Sequence, residues 1–365
     1  MAQSFDAARF SVSGEPVRIA DSIAAGPGGL AAGFSISPSG VLAYAPGGPS
    51  GTSVSRLAWY GRDGKSTGTV GEPGNYTDVA IAPDGRRIAV HLHEEPQGGN
   101  LWMWDASRGN FSQFTFDRSH NIVPIWAPDG RSILFASNRG GNLFHLYRKI
   151  ATGTTAEEPL LELKVSQIPE AWTSHHGGVV LFANGGPGLT DWTIWQLPLT
   201  GTQTATLVKP AKNTAEFLSE FSPDGRWMAY STADVGGPGV GDVYVRSYPE
   251  LNGPWRISSN GGNHPRWSPD GRELYYITPD GTAIMAAAIT TDGTSVSAAT
   301  PRVLVKTRLR VNHYPGGTPY DVAPDGRLLV IEYVAPEPAP GSASDTSSFT
   351  VVLNSLSLLS ATGSR

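Results

Sequence analysis

Five acidic or imidazole side chains recur along this chain at wide, similar intervals: His120, Glu170, Glu216, His264 and His313. Each stands in a polar segment just ahead of an apolar run, 46 to 50 residues from the one before. Imidazole nitrogens and carboxylates ligate divalent ions and exchange protons near neutral pH. A fold that gathered these positions at one mouth would own a ligand site, with His120, His264 and His313 as its metal ligands. No cofactor beyond such a divalent ion is expected. No short-range metal motif supports the set, and the plainer alternative is a ring of solvated rim side chains. A second row, Glu220, Arg266 and Asp321, stands three residues before the Pro of three successive Pro-Asp-Gly turns. An ion network between neighbouring units is the preferred reading; the other makes Arg266 an anion-binding residue held by two carboxylates. His91 and His93 share one strand face at i, i+2, a geometry able to bind metal but more often a solvated face. His175 and His176 are expected to cap a degenerate turn.

The elements that must position these residues follow from a repeated tetrapeptide: SPSG at 37–40, APDG at 82–85 and 127–130, SPDG at 222–225 and 268–271, and APDG at 323–326. The one double-length gap contains AWTSHHGGVVLF (171–182), which keeps the pattern while His175 and His176 replace Pro-Asp. Pro at the second turn position fixes φ, and Gly at the fourth accepts the positive φ of a bulged hairpin. Each turn therefore joins two antiparallel strands, and a third follows, as in 56–61, 100–105, 142–149, 193–199, 242–248 and 283–289. Four short strands every 40 to 50 residues, without helical periodicity, describe a β-propeller blade. The 44 Gly and 29 Pro among 365 residues fit such a turn-rich chain, and ten Trp serve sheet-to-sheet packing. The expected fold is all-β: one domain over 1–365, a seven-bladed propeller of four-stranded antiparallel blades. The blades fall near 33–75, 76–118, 119–164, 165–211, 212–260, 261–311 and 312–359. Strands from both termini close the ring, with 1–22 outermost beside 349–356.

The repeats resemble the TolB-like, Pro-Asp-repeat propellers, which are WD40-like in architecture but lack the Gly-His and Trp-Asp signatures. Longer phrases, among them LAWYGRDGK (57–65), VYVRSYPE (243–250) and WRISSNGGNHPRWSPDGRELYYI (255–277), resemble the propeller carried behind the kinase domain of many bacterial serine/threonine kinases. That resemblance implies an extracytoplasmic, monomeric sensor or interaction module that recognises a protein segment or small ligand at the channel mouth. The alternative is a metal-dependent lyase or hydrolase acting on an anionic carbohydrate at the same mouth. Kinase catalytic motifs and Gly-x-Ser-x-Gly do not occur. A net charge of −5 argues against nucleic acid, and the absence of Cys excludes thiolate chemistry and disulfides. No run is long and apolar enough for membrane insertion, and 1–10 lacks the pattern of a secretory signal peptide.

Overall fold

The computed structural model describes residues 2–6, 11–17, 34–37, 41–44, 54–94, 98–153, 155–185, 192–208, 214–234, 241–310, 317–334 and 350–352. The Pro-Asp-Gly turns form as their chemistry dictates. The aspartate carboxylate accepts the amide N–H two residues on, at 2.9 Å for Asp84 with Arg86 and for Asp129 with Arg131, and at 3.1 Å for Asp270 with Arg272. The following glycines take φ of 67–84°, a region that a side chain would strain.

The turns at 82–85, 127–130, 222–225, 268–271 and 323–326 and the degenerate turn at 174–178 each join the two inner strands of a sheet, whereas that at 278–281 joins the second and third strands of one. Six such sheets build the unit Ser53–Val334. Blade one pairs Tyr76–Ile81, Arg87–Leu92, Asn100–Asp105 and Asn110–Gln113 in order. Blade two has Asn121–Trp126, Ser132–Ser137, His145–Ile150 and Glu158–Leu161. Blade three has Ser166–Thr173, Val179–Gly185, Thr193–Pro198 and Thr206–Leu207. Blade four has Thr214–Phe221, Trp227–Asp234, Val243–Ser247 and Trp255–Arg256. Blade five starts Asn263–Trp267, Glu273–Ile277 and Ala283–Thr291, the last pairing with both Val296–Ala298 and Arg302–Lys306. Blade six combines Tyr320–Val322 and Leu328–Tyr333 with Ser55–Tyr60 and Ser66–Gly74. Successive innermost strands pack side by side around the ring, and that of blade six meets that of blade one. The core lies between blades; one cluster joins Trp227, Val243 and Val245 of blade four to Trp267, Leu274 and Tyr276 of blade five.

The ring thus has six blades, not seven, and 1–22 does not close it. Ser55–Tyr60, expected as the third strand after the hairpin at 34–44, pairs instead with Leu328–Tyr333, from Leu328↔Tyr60 to Tyr333↔Ser55. Thr350–Val352, expected as the third strand of the last blade, pairs with Leu42–Tyr44. The two third strands have exchanged partners. The reason is physical: a turn motif fixes only the hairpin it closes, and the next strand along the chain is free to join any sheet with an open edge. The second unit, Met1–Thr52 with Ala335–Arg365, holds the three-stranded sheet of Phe34–Ile36, Leu42–Tyr44 and Thr350–Val352 and the pair Ala2–Asp6 and Ser11–Val17. No α-helix occurs among the described residues, so none is long and apolar enough to cross a membrane.

Candidate functional site

The innermost strands are not regular. Those of blades two, four and five each shift register at a residue in the left-handed region: Val123 (φ 51°), Leu218 (φ 56°) and His264 (φ 53°). Blade three slips between Pro169 and Ala171, and blade one between Tyr76 and Asp78. Such bulges re-aim the residues that follow. Here those residues surround a cavity of about 240 Å³ on the ring axis. Its apolar wall includes Pro83, Pro128, Trp126, Trp172 and Phe221, and its polar wall consists of Glu170, Glu220, Arg266, Asp321 and Thr318.

Each carboxylate of that wall reaches across to the next blade. Glu170 accepts the N–H of Leu218 at 2.5 Å and of Ser219 at 3.0 Å, and the Ser219 hydroxyl as well. Glu220 accepts the N–H of Trp267 at 3.2 Å, and Asp321 that of Ile81 at 2.7 Å. Arg266 lies between two of them, its Nη1 3.5 Å from Glu220 and its Nε 3.8 Å from Asp321, while Nη1 also donates to the Pro265 carbonyl at 3.0 Å. The expected row Glu220–Arg266–Asp321 is therefore assembled.

Burial dominates its electrostatics. Withdrawal from water pushes Glu170 up to about 7, against the pull of its Ser219 and Leu218 donors. Glu220 is pushed up to about 8 by burial, which outweighs the nearby Arg266 charge and is reinforced by Asp321. Its side chain nonetheless keeps 25% of its surface open to the lumen, where water works against the shift. Asp321 is likewise raised by burial, with Arg266 opposing. Burial disfavours the Arg266 charge, yet Glu220 and Asp321 overcome this and hold its pKa above the ordinary value.

The other expected mouth residues are dispersed. Glu216 is fully buried and paired at 2.7 Å with Arg246 of its own blade; Arg246 also donates to the Tyr230 hydroxyl and lies 4.1 Å from that ring's centre. Arg246 and Tyr230 carry no motif, and only their strand register could have placed them. His264 is buried at the blade-five bulge, its Nδ1 2.8 Å from Asn263 Oδ1. His313 lies outside the described residues. His120 comes together with His91 and His93, the one group of three potential ligands among the described residues, and His264 is not in it. The rings of His175 and His176 do not cap their own turn as expected but reach across to the adjacent blade's turn, to the Pro223 carbonyl at 3.1 Å and the Gly225 carbonyl at 2.9 Å.

A larger groove of about 580 Å³ lies away from the axis, lined by Arg87, Arg131, Arg148 and Lys149. Three of these charges are already engaged: Arg87 with Asp84, Arg148 with Glu158 and Lys149 with Glu157.

No family model matches the chain. Over 210 residues it is 24% identical to the uncharacterized peptidase YuxL of Bacillus subtilis, covering 46% of this chain and 32% of that protein. Over 144 residues it is 27% identical to a TolB homolog of Chlorobium chlorochromatii, covering 40% of this chain and 31% of that one. The chain thus spans about a third of the length of either relative. Among solved structures it is similar to a putative TolB from Agrobacterium tumefaciens, at 14% identity and a TM-score of 0.58, over 77% of this chain and 99% of the other. The fold of this chain is a β-propeller similar to that putative TolB structure.

Proposed function

We propose that the protein is a non-enzymatic recognition module whose axial cavity receives a cationic side chain from a partner segment, in the manner of an extracytoplasmic sensor linked to a bacterial serine/threonine kinase. The observation that carries this reading is the composition of the cavity wall. Three carboxyl groups face one guanidinium, and that guanidinium already stands between two of them. An anion would have to displace Glu220 and Asp321 to reach Arg266. A cation would be met by carboxyls that ionise as it enters, because burial, joined at Glu220 by the Asp321 charge, is what raises Glu170 and Glu220 to about 7 and about 8. The volume argues the same way: about 240 Å³ falls below the roughly 300–1,000 Å³ of ordinary small-molecule pockets and accommodates one long side chain rather than an oligosaccharide. The Pro and Trp wall suits the aliphatic stem of such a side chain.

Isothermal titration with short capped peptides bearing Lys, Gln or Glu at one position tests the reading. The Lys peptide is expected to bind tightest, and the Glu220→Gln, Asp321→Asn double variant to weaken it at least tenfold. Preference for the Glu peptide would return Arg266 to the anion-binding role.

A further inference from the structure

At the end of blades one and two away from the Pro-Asp-Gly turns, three imidazoles converge from separate points of the chain. His91 ends the second strand of blade one with Leu92, His93 follows directly, and His120 stands immediately before the innermost strand of blade two. One ring nitrogen of each lies within 4.8 Å of the other two, and the ring centres are 5.2, 5.6 and 6.0 Å apart. We propose that His91, His93 and His120 bind a divalent transition-metal ion of the zinc, copper, nickel or cobalt class.

The donor set carries the choice of metal. Three nitrogens without a carboxylate or thiolate among them favour these borderline ions over magnesium and calcium, which take oxygen ligands. Tetrahedral coordination at 2.0–2.1 Å puts ligand nitrogens about 3.4 Å apart, so contraction by up to about 1.4 Å from the present 4.8 Å limit closes the site, within reach of χ rotation of the half-buried His93 and His120.

The surroundings supply what metal-bound imidazoles require. A ligating His gives its second N–H to a carboxylate or carbonyl. The Nδ1 of His91 lies 3.3 Å from Asp78 Oδ2 and against the Thr77 hydroxyl. Asp78 is itself anchored by the Thr318 N–H at 3.1 Å and buried. In the structure the Nε2–H of His91 donates to the Gly98 carbonyl at 3.0 Å; an ion would take the place of that proton and of that contact, while Nδ1 keeps its own proton toward Asp78. His120 is positioned by its own N–H donating to Asn138 Oδ1 at 2.8 Å and by the ring of Phe144, 5.8 Å from its centre. Gly98 has φ +94°, and a Cβ there would lie 2.5 Å from the His120 ring, so the close approach needs glycine. Three protein ligands leave a fourth position for water or a partner's side chain. The axial recognition proposed above uses none of these three histidines and stands or falls separately.

The test uses the full chain, free of any affinity tag and stripped with chelator, titrated with Zn²⁺ by calorimetry and with Co²⁺ by visible absorption. One equivalent should bind with micromolar or tighter Kd, with the intense d–d bands of four-coordinate Co²⁺. His93→Gln and His120→Gln, both outside the buried core, should each weaken Zn²⁺ at least tenfold without moving the metal-free Tm. His145→Gln, elsewhere on blade two, should bind like the parent. Absence of one-to-one binding below 1 mM, or equal binding by the His93→Gln, His120→Gln double variant, would overturn the proposal.

Discussion

The carboxyls of the axial cavity make the stability of this protein respond to pH in an unusual direction. Glu170 and Glu220 hold their protons more tightly in the folded chain than at the ordinary value of 4.5, up to about 7 and about 8. Their contribution is therefore complete below about pH 4.5 and is lost as pH rises through those folded values. Between pH 5 and 8.5 the Tm should fall by about 5 °C, the size of a ~1–2 kcal/mol effect in a domain of this length. Glu220→Gln, which keeps a polar group that does not titrate, should flatten much of that slope in a calorimetric scan. A Tm that rises over the range would show both carboxylates to be ionised in the fold. The row Glu220–Arg266–Asp321 was legible in the sequence because all three sit at one register relative to a turn that announces itself. The fate of Glu216 was not, because its partner Arg246 lies 30 residues on in another strand of the blade, a pairing no local pattern encodes. For the same reason His91 and His93 could be matched on one strand while the approach of His120 from the neighbouring blade could not.

At the scale of the hairpin the sequence speaks plainly, since Pro, Asp and Gly each meet a stereochemical demand of the turn. Even the degenerate turn at 174–178 keeps its place: the imidazoles of His175 and His176 fasten to the carbonyls of Pro223 and Gly225 in the next blade. Where blades meet, burial of large aromatic side chains carries the stability. Trp267, 4% exposed, closes the cluster between blades four and five. Trp267→Ala should cost about 3–5 kcal/mol, measured by urea unfolding, as truncation of a buried aromatic leaves a cavity that rigid sheets cannot collapse into. A loss below roughly 1 kcal/mol would place this indole outside the interblade core.

Around the whole ring, closure depends on strands far apart in sequence, and this is where sequence reasoning miscounted. The SPSG tetrapeptide at 37–40 shares the Pro and Gly of its counterparts, but the strands on either side of it, Phe34–Ile36 and Leu42–Tyr44, form a sheet whose third strand is Thr350–Val352. Register within a hairpin is local, whereas the choice of sheet is a competition between similar apolar edges that composition does not rank. The ring that results begins and ends at one spot: Val334 donates its N–H to the Val54 carbonyl at 3.0 Å. A circular permutant of 54–334, rejoined there by a short Gly-Ser linker and opened in the exposed turn at 106–109, should melt cooperatively within roughly 5–10 °C of the unpermuted ring. Deleting 55–74 should instead leave an uncovered sheet edge and an aggregating chain; a monomeric, cooperatively melting deletion variant would show that blade six is complete without it. For the polypeptide as a whole, a ring that is entered and left at neighbouring residues is a cassette. It separates Leu42–Tyr44 from Thr350–Val352 by the whole ring in sequence, yet those two strands pair in one sheet.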